Sequence, residues 1–415
     1  MPSLRQIMEQ VVITGMGVIS SIGFTVTEYW SALVDGRTAI EPTTVISSNG
    51  SVGHWSQVGS GFNPAGYLDP TVLRTTDRLS QFGLCAASQA VETSGLVSLP
   101  SLRTAVILGC TMGSVPTLLQ NQSEYDQGGS SGVPARLMSQ IIPNMPAAHI
   151  AMRWGLHGPL LTISTACASS LDAIGQAAHM VERGDVDFAI AGGVDSLLAP
   201  LVYHSLVNAR AVSRATDPLR ASRPFDRDRD GFVMGEGAGI VVLEREETAR
   251  LRRQPILARI LGYGSVADAH HVTSPEPSGR WEALAMKLAL KEAGLSDEKP
   301  NIDALIAHGT GTKVGDAAEI RAINDVFGRH SPALDVTSIK GHIGHSMAAS
   351  GVMAVIAGVE AMMHGQLPAT MGTTTVDPEA QFAVVLKHPK TMDIRQIQIN
   401  AFGFGGQNAA IVMSR

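Results

Sequence analysis

The sequence predicts an α/β protein whose core is built from two similar halves. Short β-rich runs recur along the chain, most of them ending in glycine, and helical stretches lie between several of them. Strands that are almost continuously apolar and alternate with helices indicate buried, largely parallel sheets. A weak internal repeat indicates the duplication, because three segments early in the chain resemble three later segments in the same order.

The predicted elements can be read in chain order. Strands are predicted at 11–14, 104–108, 188–191, 240–243, 256–260, 304–307 and 410–413. Helices are predicted at 81–92, 170–182, 281–292 and 352–364. Helices placed between buried strands are what cover the faces of such a sheet.

The internal repeat pairs segments of three kinds. Residues 104–114 resemble 303–313, the region of Cys167 resembles 341–351, and the strand at 239–244 resembles 410–414. We therefore predict an N-terminal half at 1–250, which carries the candidate nucleophile, and a C-terminal half at 251–415, which carries both histidine motifs. The alternative is that buried strands resemble one another without any duplication.

Composition narrows the classes of function. With 31 Lys+Arg against 37 Asp+Glu and a formal net charge of −6, we expect no nucleic acid and no membrane as partner. No run approaches about 18 uninterrupted apolar residues, and the start lacks the apolar segment of a signal peptide. The three cysteines, Cys85, Cys110 and Cys167, are too few for a disulfide framework, which indicates a reducing cytoplasm.

The segment TISTACASSL contains the candidate nucleophile. It runs from a β-like stretch into a helix, which places Cys167 at the turn near the positive end of that helix. Unpaired N–H groups and the helix macrodipole favour a thiolate there. The small neighbours Ala166 and Ala168 leave room for a substrate. The alternative is that Cys167 is a small buried hydrophobic residue, as unpaired cysteines commonly are.

Two histidine motifs complete the candidate site. His308 follows a predicted strand, and the carboxyl ends of strands are where α/β proteins place their chemistry. Thr310 and Thr312 offer hydroxyl groups to a polar ligand arm. His345 ends the segment KGHIGH before a small-residue helix. Together with Cys167, the two histidines would supply one nucleophile and two hydrogen-bond donors for a developing oxyanion.

A metal site is the competing interpretation of the second motif. His342 and His345 are separated by three positions, as metal ligands often are, but no carboxylate cluster accompanies them. The glycine-rich loop at 403–406 could present backbone N–H groups to an anion, although it lacks the context of a nucleotide-binding loop. We therefore expect no metal.

Taken together, these segments resemble the elongating β-ketoacyl-acyl carrier protein synthases of the thiolase superfamily. The resemblance covers nearly the whole chain through six motifs in the family's order, VVITGMGVISSIG, TACASS, RPFDRDRDGFVMGEGAGIVVLE, HGTGTKVGD, SIKGHIGHSMAASG and FGFGGQN. It implies a thiolase-like five-layered αβαβα fold built from two similar halves. It also implies an acyltransferase that forms carbon–carbon bonds.

The resemblance assigns roles to individual residues. Cys167 is implied as the acyl-accepting nucleophile, His308 and His345 complete a Cys-His-His triad, and Lys340 is the active-site lysine. Phe404 matches the gating phenylalanine, and its N–H would join that of Cys167 in the oxyanion hole. Residues implied to bind substrate or pantetheine are Thr310, Thr312, Met112 and Phe402. Residues implied to form the supporting network are Asp316, Glu319 and Asn408.

The implied reaction is a decarboxylative Claisen condensation of an acyl-Cys167 intermediate with a malonyl-acyl carrier protein. No tightly bound cofactor is expected, since the phosphopantetheine arm of the carrier delivers the substrates. The expected partners are the acyl carrier protein and either a second copy or a chain-length-factor-like subunit. Because the carrier is acidic, a basic patch should surround the mouth of the site, with Arg214, Arg220 and Arg223 as candidates, unless these are ordinary solvated charges.

Two departures from the family pattern bear on the pathway. The position nine residues after His345, commonly glutamate in bacterial fatty-acid enzymes, is Ala354, and Gln407 replaces the usual threonine. These favour type II polyketide or specialised fatty-acid synthesis over a housekeeping fatty-acid enzyme, which remains the alternative.

Three rival functions make different demands on the sequence. A chain-length factor would lack Cys167, a thiolase would have a second cysteine near its C-terminus, and a Cys-His hydrolase would have to admit water.

Overall fold

The computed structural model describes residues 10–46, 52–296, 300–328 and 334–415. The first nine residues, to which the signal-peptide prediction applies, lie outside them. The described strands are β1 (Val11–Ile19), β2 (Glu41–Ile46), β3 (Val52–Ser56), β4 (Thr104–Gly109), β5 (Leu160–Ile163), β6 (Phe188–Asp195), β7 (Met234–Gly235), β8 (Gly237–Arg245), β9 (Ala258–Ala267), β10 (Ala304–Ile306), β11 (Asp335–Thr337), β12 (Gln366–Leu367), β13 (Ala383–Val384), β14 (Lys390–Thr391), β15 (Gln396–Gly403) and β16 (Gln407–Ser414).

Helices alternate with these strands along the chain. The described α-helices are α1 (Val26–Val34), α2 (Pro70–Thr75), α3 (Arg78–Thr93), α4 (Val115–Gly128), α5 (Met138–Ile141), α6 (Met145–Trp154), α7 (Ser169–Glu182), α8 (Pro200–Asn208), α9 (Glu246–Leu251), α10 (Arg280–Glu292), α11 (Lys313–Phe327), α12 (Lys340–Ile343) and α13 (Ser350–His364). Each predicted strand and helix overlaps an observed element, and most observed elements extend beyond the prediction by a few residues.

The two halves share one strand order. In the described part of the chain, the strands of the first half run outward from the centre of the sheet in the order β1-β8-β6-β4-β5. The strands of the second half run outward in the equivalent order β9-β16-β15-β10-β11, with β13 added at the edge. From the centre outward, the neighbouring strands of each half pair antiparallel twice and then parallel twice. The strands β1 and β9 pair antiparallel and join the halves into one sheet. The predicted α/β fold of two similar halves is confirmed.

The prediction of largely parallel sheets was wrong for two of the four strand pairings within each half of the chain. The strand β8 runs antiparallel to both β1 and β6, and β16 runs antiparallel to both β9 and β15. The long apolar runs indicated burial on both faces correctly. They carry no information about direction, because a strand between two helical layers is buried on both faces whichever way it runs.

Within this sheet the strands of each half form one β-layer, and three layers of helices alternate with the two β-layers. The helices α7 and α13 lie in the middle, where one apolar cluster contacts strands of both halves. Outer clusters include α3 and α6 on the N-terminal half, and α10 and α11 on the C-terminal half. By length and composition the described stretch Met347–His364 could cross a membrane, but 89% of it is buried in this central layer.

The central layer also brings the two functional turns together. In each half a strand leads to a short 3-10 turn that opens a central helix, Ala166–Ala168 before α7 and Met347–Ala349 before α13. The first residue of each turn has a positive φ, 49° at Ala166 and 47° at Met347. Because the halves are related by the duplication, the two turns meet at the carboxyl ends of the parallel strands.

Candidate active site

Cys167 lies in the tight turn that opens α7. The strained backbone of Ala166 presents the Cys167 side chain toward the second half, and only 8% of Cys167 is exposed. The loop after β15 passes directly over this turn. A Cβ atom at Gly403 would lie 2.9 Å from the carbonyl oxygen of Thr165 and 3.0 Å from the Cys167 nitrogen, so this approach requires glycine.

Burial opposes the thiolate that the helix terminus was predicted to favour at Cys167. Burial raises the pKa of the Cys167 thiol to about 11, although the Lys340 charge and the backbone N–H groups of Phe404 and Cys167 act in the opposite direction. Loss of water around the sulfur therefore outweighs the helix terminus. The resting group is a thiol, and it faces both N–H groups that were predicted to form the oxyanion hole.

His345 directly contacts Cys167, the candidate nucleophile. Its Nε2 lies 2.9 Å from Cys167 Sγ, and its Nδ1 lies 2.9 Å from the hydroxyl oxygen of Ser350, the first residue of α13. The backbone N–H of His345 donates to the Val233 carbonyl at 2.7 Å, which holds the ring in place. Burial, reinforced by the charge of Lys340, lowers the pKa of His345 well below its usual value, so the imidazole is neutral.

His308 stands beside His345 at the end of β10. The two rings are nearly perpendicular with centroids 5.3 Å apart, and the Phe402 ring lies 5.8 Å from that of His308. The Nδ1 atom of His308 has no hydrogen-bond partner among the described residues. Burial, together with the charge of Lys340, lowers the pKa of His308 well below its usual value. Both imidazoles are therefore neutral and available as hydrogen-bond donors.

The structure brings Cys167, His308 and His345 together and leaves His342 apart. The donor atoms of the first three lie within 4.8 Å of one another, close enough to act on one substrate group or to hold one metal ion. His342 instead places Nδ1 2.7 Å from the Arg37 carbonyl and Nε2 2.8 Å from the Ala369 carbonyl. The alternative of a metal held by His342 and His345 is therefore wrong.

Lys340 and Glu319 are two buried ionisable groups behind His308 that influence each other electrostatically. The Lys340 ammonium group donates to the His308 carbonyl, and the Glu319 carboxyl group accepts from the N–H groups of His308 (2.8 Å) and Gly309 (2.6 Å). Burial lowers the pKa of Lys340 to about 8, against the opposing effect of Glu319. Burial likewise raises the pKa of Glu319 to about 7. The pair fixes the backbone that carries His308.

Asp316 orders the loop after His308. Its carboxyl group accepts from the N–H groups of Phe225 (2.7 Å) and Gly311 (3.0 Å) and from the Thr310 hydroxyl (3.3 Å). Thr310 and Thr312 place their hydroxyl oxygens 3.0 Å apart, as expected of two groups that bind one ligand arm. Thr312 also accepts from the Gly315 N–H at 3.2 Å and so begins α11.

Asn408 is not part of the network around Lys340. Its side-chain amide donates to Asp268 at 2.5 Å, behind the glycine-rich loop. The amide that reaches Glu319, at 3.4 Å, belongs to Asn400, which sequence reasoning missed. A signal for Asn400 was available, because a buried asparagine inside an apolar strand is rare unless its polar groups are paired. Ser350 carried no comparable signal.

Phe404, the predicted gate residue, lies in the tight turn between β15 and β16. It is 41% exposed, and Gly405 and Gly406 follow it with positive φ angles of 87° and 72°. These conformations favour glycine and allow the loop to fold over the site. Phe404 thus lines the cavity, and its backbone N–H points toward Cys167.

These residues surround one cavity of about 740 Å³. An apolar part of its wall is continuous with Cys167, and Met112, which is 59% exposed, also contributes to the wall. The other predicted site residues that line it are His308, Thr310, Thr312, His345, Phe402, Phe404 and Asn408. Lys340, Asp316 and Glu319 lie behind the wall rather than in it.

The predicted basic patch was largely wrong. Arg223 is 8% exposed and pairs with Asp230 at 2.9 Å, while Arg220 donates to the Gly372 carbonyl at 2.7 Å. Both therefore stabilise loops, and only Arg214 is exposed. The basic residues that line the cavity are Arg210 and Lys313, both exposed, which sequence reasoning missed. Nothing in the local sequence around either residue distinguishes a cavity mouth from any other surface.

Family models match both halves of the chain. The model of the β-ketoacyl synthase N-terminal domain matches residues 8–249, and that of the C-terminal domain matches residues 257–374. The chain belongs to the β-ketoacyl synthase family. As a member it is an acyltransferase that forms carbon–carbon bonds. The predicted family, fold and enzyme class are confirmed.

Curated relatives and solved structures agree with this assignment. Proteins named 3-oxoacyl-[acyl-carrier-protein] synthase 2 from Synechocystis sp. and Coxiella burnetii are 35% and 37% identical, each match covering 98% of both chains. The ishigamide ketosynthase/chain length factor structure has a TM-score of 0.90 at 32% identity, covering 98% of this chain and 99% of that one. A β-ketoacyl synthase from Burkholderia phymatum has a TM-score of 0.89 at 31% identity, covering 98% and 100%.

A third solved structure is a type II PKS acyl-carrier protein in complex with its ketosynthase bound to the hexaketide. Its TM-score is 0.90 at 26% identity, covering 98% of this chain and 99% of that one. Structural relatives of this family have thus been solved together with a carrier protein.

Proposed function

We propose that this synthase condenses an acyl group held on Cys167 with a malonyl group carried by an acyl carrier protein, with loss of carbon dioxide. The observation that carries the proposal is the 2.9 Å contact between His345 Nε2 and Cys167 Sγ, with His308 in the same cluster. One nucleophile beside two neutral donors suits two successive thioester reactions at one point.

In the loading step, Cys167 Sγ attacks the carbonyl carbon of an acyl thioester. The bond from that carbon to the carrier-arm sulfur breaks, and the thiol proton leaves with the departing sulfur. The N–H groups of Cys167 and Phe404 stabilise the negative oxygen of the tetrahedral intermediate. The Lys340 charge assists, because it lowers the free energy of a developing thiolate.

In the condensation step, the malonyl group loses carbon dioxide and its bonding electrons pass to the thioester carbonyl oxygen. His308 and His345, both neutral, stabilise this enolate through ring N–H groups. A hydrogen bond from the Ser350 hydroxyl to His345 Nδ1 would keep the proton on Nε2, where the enolate forms. The enolate carbon then attacks the carbonyl carbon of acyl-Cys167, and the bond from that carbon to Sγ breaks. The released thiolate takes a proton from water, and the β-ketoacyl chain leaves on the carrier.

The carrier is proposed to dock where Arg210 and Lys313 line the cavity mouth, because an acidic carrier needs basic contacts.

A second subunit, either another copy or a chain-length-factor relative, is proposed to pair along β5. The strand β5 is the last strand of the sheet, so its outer edge presents backbone groups that a second strand could pair with. Its residues Leu160 and Leu161 are 44% and 42% exposed. A ketosynthase in complex with its chain length factor is among the similar structures, with a TM-score of 0.84 at 26% identity.

For the pathway we infer type II polyketide or specialised fatty-acid synthesis in the cytoplasm, without a tightly bound cofactor. The support is Ala354 in the apolar core and Gln407 at the cavity, the two departures from the fatty-acid pattern. Housekeeping fatty-acid elongation is the second candidate, favoured by the relatives named 3-oxoacyl-[acyl-carrier-protein] synthase 2. We also infer that the halves divide near residue 250, inside α9.

The test is mass spectrometry of the intact enzyme with acyl-carrier protein alone and then with malonyl-carrier protein. Acyl addition at Cys167 followed by transfer to a β-ketoacyl product is expected. Loss of the acyl group to water instead of malonyl-carrier would identify a hydrolase. Repeating the assay with saturated and β-keto acyl groups separates the two pathways, since a polyketide enzyme must accept the latter.

A further inference from the structure

A buried carboxylic acid faces the cavity at a position that the proposed mechanism does not use. Glu282, in the first turn of α10, lines the cavity together with Cys167, Thr310 and Phe404. It is only 2% exposed, and its Oε2 atom has no hydrogen-bond partner among the described residues. A polar atom buried in this state costs free energy unless a partner arrives.

The backbone holds Glu282 in this position. Gly279, just before α10, has a φ of 71°, and a Cβ atom there would lie 2.2 Å from the Ala318 carbonyl oxygen. The start of α10 is therefore packed closely against α11, which directs Glu282 inward.

The surroundings of Glu282 disfavour its anion. Burial is the first cause, and the carboxyl groups of Glu319, Asp268, Asp316 and Glu276 add to it, so that the pKa of Glu282 is raised well above its usual value. The start of α10 favours an anion through the helix macrodipole, but this effect is smaller than burial beside four acidic groups. Glu282 therefore carries a proton and can donate a hydrogen bond.

We propose that Glu282 is a specificity-determining residue whose neutral carboxyl group donates a hydrogen bond to a carbonyl oxygen of the ligand in the cavity. The inference rests on the proposed function, because the ligand is then an acyl thioester and its pantetheine arm. Two such carbonyl groups could accept, an amide of the arm or the β-keto oxygen of a growing chain. Asp268 is already engaged, since it accepts from the Asn408 amide and the Glu276 N–H.

Four synthetic thioesters and two variants test the inference. Butanoyl and 3-oxobutanoyl groups are each offered on pantetheine and on N-acetylcysteamine, which lacks the outer amide of the arm. Glu282→Gln keeps a neutral donor of the same shape, and Glu282→Leu removes the donor. The readout is kcat and KM for acylation of Cys167.

We expect Glu282→Leu to raise KM roughly tenfold at unchanged kcat for thioesters that carry the acceptor, and Glu282→Gln to stay within about twofold of wild type. An effect confined to 3-oxobutanoyl thioesters identifies the chain oxygen. An effect confined to pantetheine identifies the outer amide, and an effect on all four identifies a carbonyl that they share, the inner amide or the thioester. Equal KM values for wild type and Glu282→Leu, or an equal loss in both variants, would overturn the inference.

An infrared measurement covers the case in which Glu282→Leu does not fold. 3-Oxobutanoyl-pantetheine with ¹³C-labelled carbonyls is bound to Cys167→Ala and to Cys167→Ala/Glu282→Gln, which cannot be acylated. One carbonyl stretch should shift to lower frequency than in the free probe, by different amounts in the two proteins. Identical spectra would overturn the inference. If wild type acylates from none of the four thioesters, the proposed function itself fails, which separates the two outcomes.

Discussion

The buried ammonium group of Lys340 donates a hydrogen bond to the backbone carbonyl of His308. A cation only 4% exposed thus stands behind both active-site imidazoles and lowers the pKa of each. The same charge favours a developing Cys167 thiolate. Burial is the larger cause of all three pKa shifts; this lysine outside the cavity wall adds to the lowering for both histidines and opposes the raising for Cys167.

Removing this charge should change the pH dependence of the reaction. Lys340→Met keeps most of the apolar stem and loses the cation, so the pKa values of both histidines should rise. Protonated imidazole would then accumulate as pH falls, and release of carbon dioxide from malonyl-carrier protein should fall more at pH 6 than at pH 8. Lys340→Arg is the control that retains the charge. Parallel profiles for wild type and Lys340→Met would contradict this role.

Cys167→Ala should abolish acyl loading. No other thiol among the described residues lines the cavity, and the matched control is Cys110→Ala, because Cys110 is fully buried in the outer core. The mass of the acylated protein should be absent in the first variant and present in the second. Normal condensation by Cys167→Ala would refute the assignment of the nucleophile.

His308→Ala and His345→Ala should impair decarboxylation more than loading. Each removes one donor to the enolate, and the loss of one preorganised donor costs about 10²–10³ in rate. Carbon dioxide release and Cys167 acylation are measured separately, with exposed His271→Ala as the control. An equal loss in both steps would contradict the division of roles.

Asp195 should make folding stability depend on pH. It accepts hydrogen bonds from the Thr111 hydroxyl (2.8 Å) and the Ala348 N–H (2.8 Å), and burial raises its pKa to about 7. Since the folded state holds the proton more tightly, this contribution is fully present below the unfolded pKa and is lost as pH rises through about 7.

The stability of wild type relative to Asp195→Asn should therefore decrease between about pH 4 and pH 7, by a few kcal/mol at most. Urea unfolding at several pH values measures the difference. A difference that grew with rising pH would show that the folded state prefers the ionised carboxylate.

Charged substitutions on β5 should weaken subunit association. Leu160→Asp and Leu161→Asp place charges along the exposed edge strand, where a partner strand would bury them. Light scattering after size-exclusion chromatography should show a smaller species than wild type, with exposed Leu251→Asp as the control. If wild type is already a monomer in the presence of a candidate partner, pairing along β5 is wrong.

The sequence by itself determined the family, the duplicated α/β core and the cluster of one cysteine and two histidines. Cys167, His308 and His345 could be found because each stands in a short pattern at the end of a strand or the start of a helix, and such patterns depend on local conformation. The buried strands could be found for the same reason, since apolar runs report burial.

Only the tertiary structure decided the properties that arise between distant segments. It showed that β8 and β16 run antiparallel, that Asn400 rather than Asn408 reaches Glu319, and that Arg223 is buried in an ion pair. It also showed that burial of Cys167 opposes the thiolate expected from the helix terminus. Strand direction, ion pairing and desolvation depend on which segments pack together, and in this fold the nucleophile and its nearest histidine are 178 residues apart.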